Sequence, residues 1–112
     1  MESVDKNVQP LSLQIPAGSE PVFRAMAARY IWWKTPEEAL RYPQQIAAQV
    51  MNLADWADVQ ILARAVGDDY LRAVIRTAEA GQFNERSWVY WHYRLHLAEV
   101  GRVPSLPERE IA

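Results

Sequence analysis

The residues best suited to chemistry are concentrated in one short stretch, RSWVYWHYRLHL, which runs from Arg86 to Leu97. This stretch holds both histidines of the chain, two of its five tryptophans and two of its five tyrosines. His92 and His96 are four residues apart, so on a helix they would share a face, and Glu99 is close enough to offer a carboxylate to the same cation. A metal centre is therefore the first hypothesis that the stretch raises.

The rest of a metal-binding or catalytic motif is missing from the sequence. No glutamate follows the first histidine as in a zincin helix, and the chain has neither a cysteine nor a third histidine. There is no Gly-x-Ser-x-Gly motif and no glycine-rich phosphate loop. The carboxylate pairs Glu37–Glu38 and Asp68–Asp69 stand at predicted helix starts, where they complement the helix dipole. The sequence thus predicts a protein that is not an enzyme and has no cofactor-binding or metal-binding residues.

Composition restricts the class of protein further. A chain of 112 residues, 50% hydrophobic and 23% charged, is typical of one globular domain. No apolar run approaches the roughly 20 residues that span a bilayer, and the first residues do not resemble a secretory signal, so we expect a cytoplasmic protein without membrane contact. The net charge of -2 gives no overall electrostatic attraction to nucleic acid.

Turn-forming and helix-capping residues divide the chain into three parts. Residues 1–18 predict an extended N-terminal arm, in which Leu11, Leu13 and Ile15 alternate as in a short strand. Residues 19–100 predict a helical domain, and residues 101–112 predict an extended C-terminal tail. Both ends are candidates for ordering on a partner. The apolar anchors of the tail would be Val103, Leu106 and Ile111.

The helical part carries a regular series of start signals. A helix should begin at Pro21, followed by a short turn of helix after Thr35 that ends near Arg41. The later starts are Pro43, Asp55, Asp68 and Asn84, with stops at Gly67 and Gly81 and a last helix that reaches about Val100. The expected fold is all-α, a single compact bundle of about five short helices.

The apolar surface of the last helix is unusually wide. Its apolar and histidine side chains sweep roughly 240°, whereas a surface helix needs little more than about 100°. Such a helix is either central in its own bundle or covered on one side by another chain, and the sequence leaves both interpretations open. The adjacent tryptophans near residue 32 raise the same question, because neighbouring side chains point in different directions. The predicted partner-binding residues are Trp32, Trp33, Trp88, Tyr90, Trp91, His92, Tyr93 and Arg94.

A DNA-binding alternative comes from residues 59–76, which have the outline of a helix-turn-helix with a glycine between two short helices. Against it, the second helix begins with Asp68 and Asp69, which would face phosphate with the wrong sign. Its basic side chains are Arg72 and Arg76, and Arg72 can instead pair with Asp68 one turn earlier. A transcriptional regulator is therefore the second functional hypothesis.

Four strings in the sequence are distinctive: RYIWW at 29–33, QVMNLADWADVQ at 49–60, GQF at 81–83 and RSWVYWHYRL at 86–95. Together they resemble a group of small bacterial helical proteins encoded beside nucleotidyltransferase toxins of the AbiEii kind. The resemblance implies an antitoxin-like chain that binds its cognate toxin and keeps it inactive, without catalysis of its own. We expect steric inhibition, in which the aromatic helix and one or both extended ends cover the toxin's nucleotide or substrate cleft. Whether the chain also forms a homo-oligomer stays open.

Overall fold

Six helices joined by short loops account for most of residues 13–109, the part of the chain described by the structure, a computed structural model. They are α1 (Glu20–Tyr30), α2 (Pro36–Ala39), α3 (Pro43–Leu53), α4 (Trp56–Val66), α5 (Asp68–Arg76) and α6 (Glu85–Arg94). Between residues 13 and 109 there is no β-strand, so the prediction of a small all-α bundle is confirmed. The longest of these helices has 11 residues, and no helix within the described range is long and apolar enough to cross a bilayer.

Three helices start at polar caps that the sequence predicts. The side chain of Thr35 accepts a hydrogen bond from the backbone N–H of Glu38, at 3.2 Å. The side chain of Asp55 accepts a hydrogen bond from the backbone N–H of Asp58 at 2.9 Å. The side chain of Asn84 accepts one from the backbone N–H of Ser87 at 2.8 Å. Each cap satisfies a donor that the first turn of a helix leaves without a partner, which is why these starts can be read from sequence.

The centre of the bundle is α3, which packs against all five other helices. Small side chains at Ala47 and Ala48 let its neighbours approach closely, and Ile46 and Val50 are completely enclosed. The aromatic helix α6 packs on one side of α3, where the indole N–H of Trp91 donates to the carbonyl of Met51 at 2.8 Å. The central helix is therefore α3 and not the aromatic helix α6.

The predicted extension of α6 to Val100 is wrong, because the helix ends at Arg94. His96 takes a left-handed backbone conformation, with φ of 57°. Its N–H bonds to the carbonyl of Tyr93 at 3.2 Å, and the N–H of Leu97 bonds to the carbonyl of His92 at 2.8 Å. This pair of bonds is a Schellman motif, which usually has glycine at the left-handed position. A histidine gives no such signal in the sequence, and so the end of α6 was missed.

Two buried polar clusters connect elements far apart in the chain. The amides of Gln44 and Gln82 form two reciprocal hydrogen bonds of 2.8 Å, which tie α3 to the loop before α6. Asp58, only 4% exposed, accepts hydrogen bonds of 2.6 Å from both Arg29 and Tyr30 and so joins α4 to the end of α1. Buried polar groups are tolerated when they are paired in this way, and each cluster specifies one arrangement of the helices.

Both ends of the described chain lie against the helices. Leu13 is buried, its carbonyl accepts a 2.7 Å hydrogen bond from the hydroxyl of Tyr70, and Ile15 packs on the core. At the other end, the carbonyl of Pro104 accepts a 2.8 Å hydrogen bond from the indole of Trp88. The predicted strand and tail also involve Leu11 and Ile111, which lie outside the described residues.

Candidate functional site

The eight predicted contact residues are divided by the fold into a buried and an exposed set. Trp88, Trp91 and His92 are at most 5% exposed and belong to the chain's own core. Arg94 is half-buried. The exposed members are Trp32, Trp33, Tyr90 and Tyr93. Of the eight residues, the exposed ones are therefore the candidates for contact with a partner, and the buried ones support the fold beneath them.

The two histidines do not form a shared site. His92 is buried on α6, where its Nδ1 lies 2.8 Å from the carbonyl oxygen of Trp88 and its ring is 4.5 Å from that indole. His96 lies beyond the end of the helix in the left-handed conformation, so the two side chains do not share a helix face. Within residues 13–109 no group of three or more histidine, aspartate or glutamate side chains could hold a metal ion.

The helix-turn-helix outline is present as α4 and α5, which meet at Gly67, but its basic residues are used differently from the prediction. Arg72 pairs with Asp69 at 2.8 Å and not with Asp68. The same guanidinium donates from its Nε to the carbonyl of Leu95 at 2.9 Å, which also helps to end α6. Of these two arginines Arg76 is exposed and Arg72 is half-buried, so α5 presents little positive charge to a phosphate backbone.

Arg94 organises an aromatic cluster on the surface between α4 and α6. Its guanidinium carbon lies 4.8 Å from the ring centroid of Trp91, 5.4 Å from that of Trp56 and 6.0 Å from that of Tyr90. One terminal nitrogen donates to the hydroxyl of Tyr90 at 3.1 Å, and the other donates to the Gln60 side chain at 3.2 Å. Within the described chain no carboxylate pairs with this guanidinium. The cluster thus holds a preorganised cation beside an indole that is 62% exposed.

Trp32 and Trp33 form a second exposed aromatic group in the loop between α1 and α2. Their rings meet edge to face at 5.5 Å, and the two residues are 78% and 54% exposed. Trp33 lines a depression of about 300 Å³ together with Gln45, Gln49 and Gly81. An exposed indole is uncommon because burial of its large apolar area is strongly favourable, so two adjacent ones indicate a contact area.

One face of α3 connects the two aromatic groups. Gln45, Gln49, Asn52 and Leu53 recur at helical spacing, so they lie along one stripe, and Leu53 is 58% exposed. Asn52 also lines a second depression, of about 220 Å³, with Trp56 and Tyr90. We call this continuous area the α3 surface. Its residues are Trp32, Trp33, Gln45, Gln49, Asn52, Leu53, Trp56, Tyr90 and Arg94.

The middle of the α3 surface is held rigid by hydrogen bonds to the start of α6. The side-chain oxygen of Asn52 accepts from the backbone N–H of Asn84 at 3.0 Å, and the hydroxyl of Ser87 donates to the Asn52 carbonyl at 3.1 Å. Sequence reasoning missed Trp56 as part of the surface. The available signal was its place at the edge of the apolar stripe of α4, where a large side chain is only partly covered.

Comparison of the chain with protein-family models, curated proteins and solved structures gives no match. The family resemblance therefore rests on the four sequence strings alone. Those strings include Trp32 and Trp33, Trp56, and Tyr90 with Arg94, which the fold brings to the α3 surface.

Proposed function

We propose that this chain is a non-catalytic binding protein of the antitoxin type, which neutralises a toxin of the nucleotidyltransferase kind by direct contact. The observation that supports the proposal best is the exposure of three tryptophans, Trp32, Trp33 and Trp56, at 78%, 54% and 62% along one surface. Tryptophan, tyrosine and arginine dominate the energy of protein interfaces, and this surface holds all three types.

The dimensions of the α3 surface suit a partner's helix or extended segment. Gln45 and Leu53 lie eight positions apart on α3, which corresponds to roughly 12 Å at the helical rise, and Trp56 lies beyond that end of the helix. The two depressions lie along this length with exposed aromatic rings at either end. Arg94, which has no carboxylate partner within the described chain, favours an acidic group on the partner at that end. The proposed inhibition is steric: this chain, once bound, would cover the cleft of the toxin.

The experiment is co-expression with the product of the adjacent gene, followed by measurement of growth and of complex formation. The wild-type chain should relieve toxicity and co-purify with the toxin. Trp33→Glu and Tyr90→Glu should each weaken the complex by about 30-fold or more, because the loss of an interface hot spot costs about 2 kcal/mol or more.

The matched control is Val100→Glu, which introduces the same charge at a residue that is 88% exposed but lies outside the α3 surface. It should bind like the wild type. Circular dichroism should show unchanged helix content for all three variants, since the substituted side chains are exposed. A chain that neither binds the adjacent product nor relieves its toxicity would refute the proposal, and equal effects of all three variants would refute the assigned surface.

A further inference from the structure

The C-terminal segment 101–109 lies across α6 on a side of that helix that the α3 surface does not use. The indole N–H of Trp88 donates to the carbonyl of Pro104 at 2.8 Å, and the Trp88 side chain is otherwise enclosed. The backbone N–H of Gly101 donates to the hydroxyl of Tyr93 at 3.0 Å. The segment is therefore held by two aromatic side chains of one helix, each through a single hydrogen bond to its backbone.

The sequence of the segment repeats with a period of three. Residues 104–107 read Pro-Ser-Leu-Pro, a Pro-x-x-Pro motif, in which Leu106 and Pro107 are half-buried, as is Val103, while Pro104 and Ser105 are exposed. An extended proline-rich chain has three residues per turn, so side chains three apart point to the same side. Such segments are recognised by grooves lined with aromatic rings, in which the fixed proline backbone reduces the entropic cost of binding.

The aromatic floor of the groove comes from outside the segment, while the segment itself forms much of the remaining lining. Its floor is Trp88, supported by the ring of Phe83 at 5.7 Å and by that of His92 at 4.5 Å. No residue of 101–109 is fully buried. The segment also leaves a depression of about 450 Å³ on one side, lined by Glu85 and Val89 among others, and one of about 340 Å³ on the other. Displacement of the segment would therefore leave the ring of Trp88, with its supporting rings, as the surface on which another extended chain could lie.

We propose that this groove is a binding site for an extended Pro-x-x-Pro segment, filled in cis by the chain's own tail and in trans by the tail of a second copy. The tail of the chain fits its own groove in the structure. A second copy carries the same tail, so we propose a second copy as the source of the segment bound in trans. The connection from Arg94 to Val103 contains two left-handed residues, His96 and Gly101, and the highly exposed Val100. A change of backbone angles confined to this connection would redirect the tail to a neighbour, as in domain swapping. The proposal is independent of the α3 surface.

The first test measures binding in trans with a fluorescent peptide of sequence GRVPSLPER, which corresponds to residues 101–109. In the full chain, Val103→Asp with Leu106→Asp removes both apolar anchors of the tail and leaves α6 intact. This variant should bind the peptide one to one and more tightly than the wild type, whose own tail competes at an effective concentration of about millimolar. The difference should be about 10-fold if the peptide has a dissociation constant of about 0.1 mM. The control Ser105→Asp changes an exposed residue of the tail and should behave like the wild type.

A second substitution tests the hydrogen bond that positions the segment. We call the chain with Val103→Asp and Leu106→Asp the tail-released chain. Adding Trp88→Phe to it keeps an aromatic floor but removes the N–H donor, so peptide binding should weaken by about 2-fold to 12-fold. If the double aspartate variant loses its helical circular dichroism, Leu106→Ala provides the same comparison with a smaller change. The proposed groove would be overturned if the folded tail-released chain did not bind the peptide at millimolar concentration. It would also be overturned if the wild type bound the peptide equally well.

A third measurement tests whether the tail of one copy binds in the groove of another. The tail-released chain offers an open groove, whereas Val89→Asp impairs the groove and keeps the tail. In sedimentation velocity each variant alone should be monomeric, and their mixture should form a heterodimer at concentrations near the dissociation constant of the peptide. A mixture that stays monomeric although the peptide binds would overturn the exchange between copies. The adjacent gene product is absent from all three measurements, so their outcome does not depend on the antitoxin proposal.

Discussion

Asp58→Ala should destabilise this protein far more than a matched change at another ion-paired aspartate. Asp58 is 4% exposed and accepts two hydrogen bonds of 2.6 Å, from the Tyr30 hydroxyl and the Arg29 guanidinium. Hydrogen bonds to a charged group contribute about 1.5–3 kcal/mol each, but both donors are partly exposed and can regain water. We therefore expect a loss of about 2–4 kcal/mol in the free energy of unfolding, measured by urea denaturation with circular dichroism.

The control is Asp69→Ala. Asp69 also binds an arginine, Arg72, at 2.8 Å, but its side chain is fully exposed. Exposed ion pairs contribute about 0–1 kcal/mol, so the control should change stability by less than about 1 kcal/mol. If the two variants lost similar stability, burial would not be the cause of the difference and the reasoning would be refuted.

The same cluster predicts a dependence on pH. The hydrogen bond from Tyr30, together with that from Arg29 and the positive charge of Arg29, lowers the pKa of Asp58 below its ordinary value, although burial opposes the shift. A depressed pKa in the folded state means that the stabilisation is present above the ordinary pKa of aspartate and is lost as the pH falls through the folded value. The wild type should lose stability as the pH falls below about 4, the ordinary pKa of aspartate. Asp58→Asn should show a smaller loss below that pH, and identical curves would contradict the assignment.

Three other substitutions test separate parts of the fold. His96→Gly should raise the free energy of unfolding by about 1 kcal/mol, because glycine adopts a positive φ without strain, and a loss measured by urea denaturation would contradict this. Gln82→Ala should cost about 1–3 kcal/mol by the same measurement because it breaks the paired amides, whereas Gln45→Ala at an exposed position should cost less than about 0.5 kcal/mol. Trp91→Phe should lower the thermal midpoint, since it removes the N–H that bonds to the Met51 carbonyl and reduces core packing.

Local signals explain which parts of the fold could be predicted from sequence. Thr35, Asp55 and Asn84 bond to N–H groups only three residues away, so each helix start is encoded where it occurs. The end of α6 depends instead on a histidine in a conformation typical of glycine and on Arg72, which is 23 positions from the carbonyl it binds. Neither feature can be recognised from a short stretch of neighbouring residues.

The error at the end of α6 also explains the overestimated apolar arc. The helical wheel placed Leu95, Leu97 and Val100 on the face of a continuing helix. All three lie beyond its last residue, Arg94, and Val100 is 88% exposed. Without them the arc is narrower, and one side packed on α3 together with the C-terminal segment is enough to cover Trp88 and Trp91. The candidate surface therefore lies beside the aromatic stretch and only partly within it.

The five tryptophans separate into two groups by the bonding of the indole N–H. Trp88 and Trp91 are buried and donate to backbone carbonyls, so their polar atoms are satisfied inside the domain. Trp32, Trp33 and Trp56 are exposed, and within residues 13–109 none of them donates a hydrogen bond to the protein. An indole combines a large apolar area with one donor; where the ring is exposed the donor faces water, and a partner that covers the ring can accept from it. The number of tryptophans therefore does not identify the candidate contact residues, whereas the exposure and the bonding of each indole separate them from the core tryptophans.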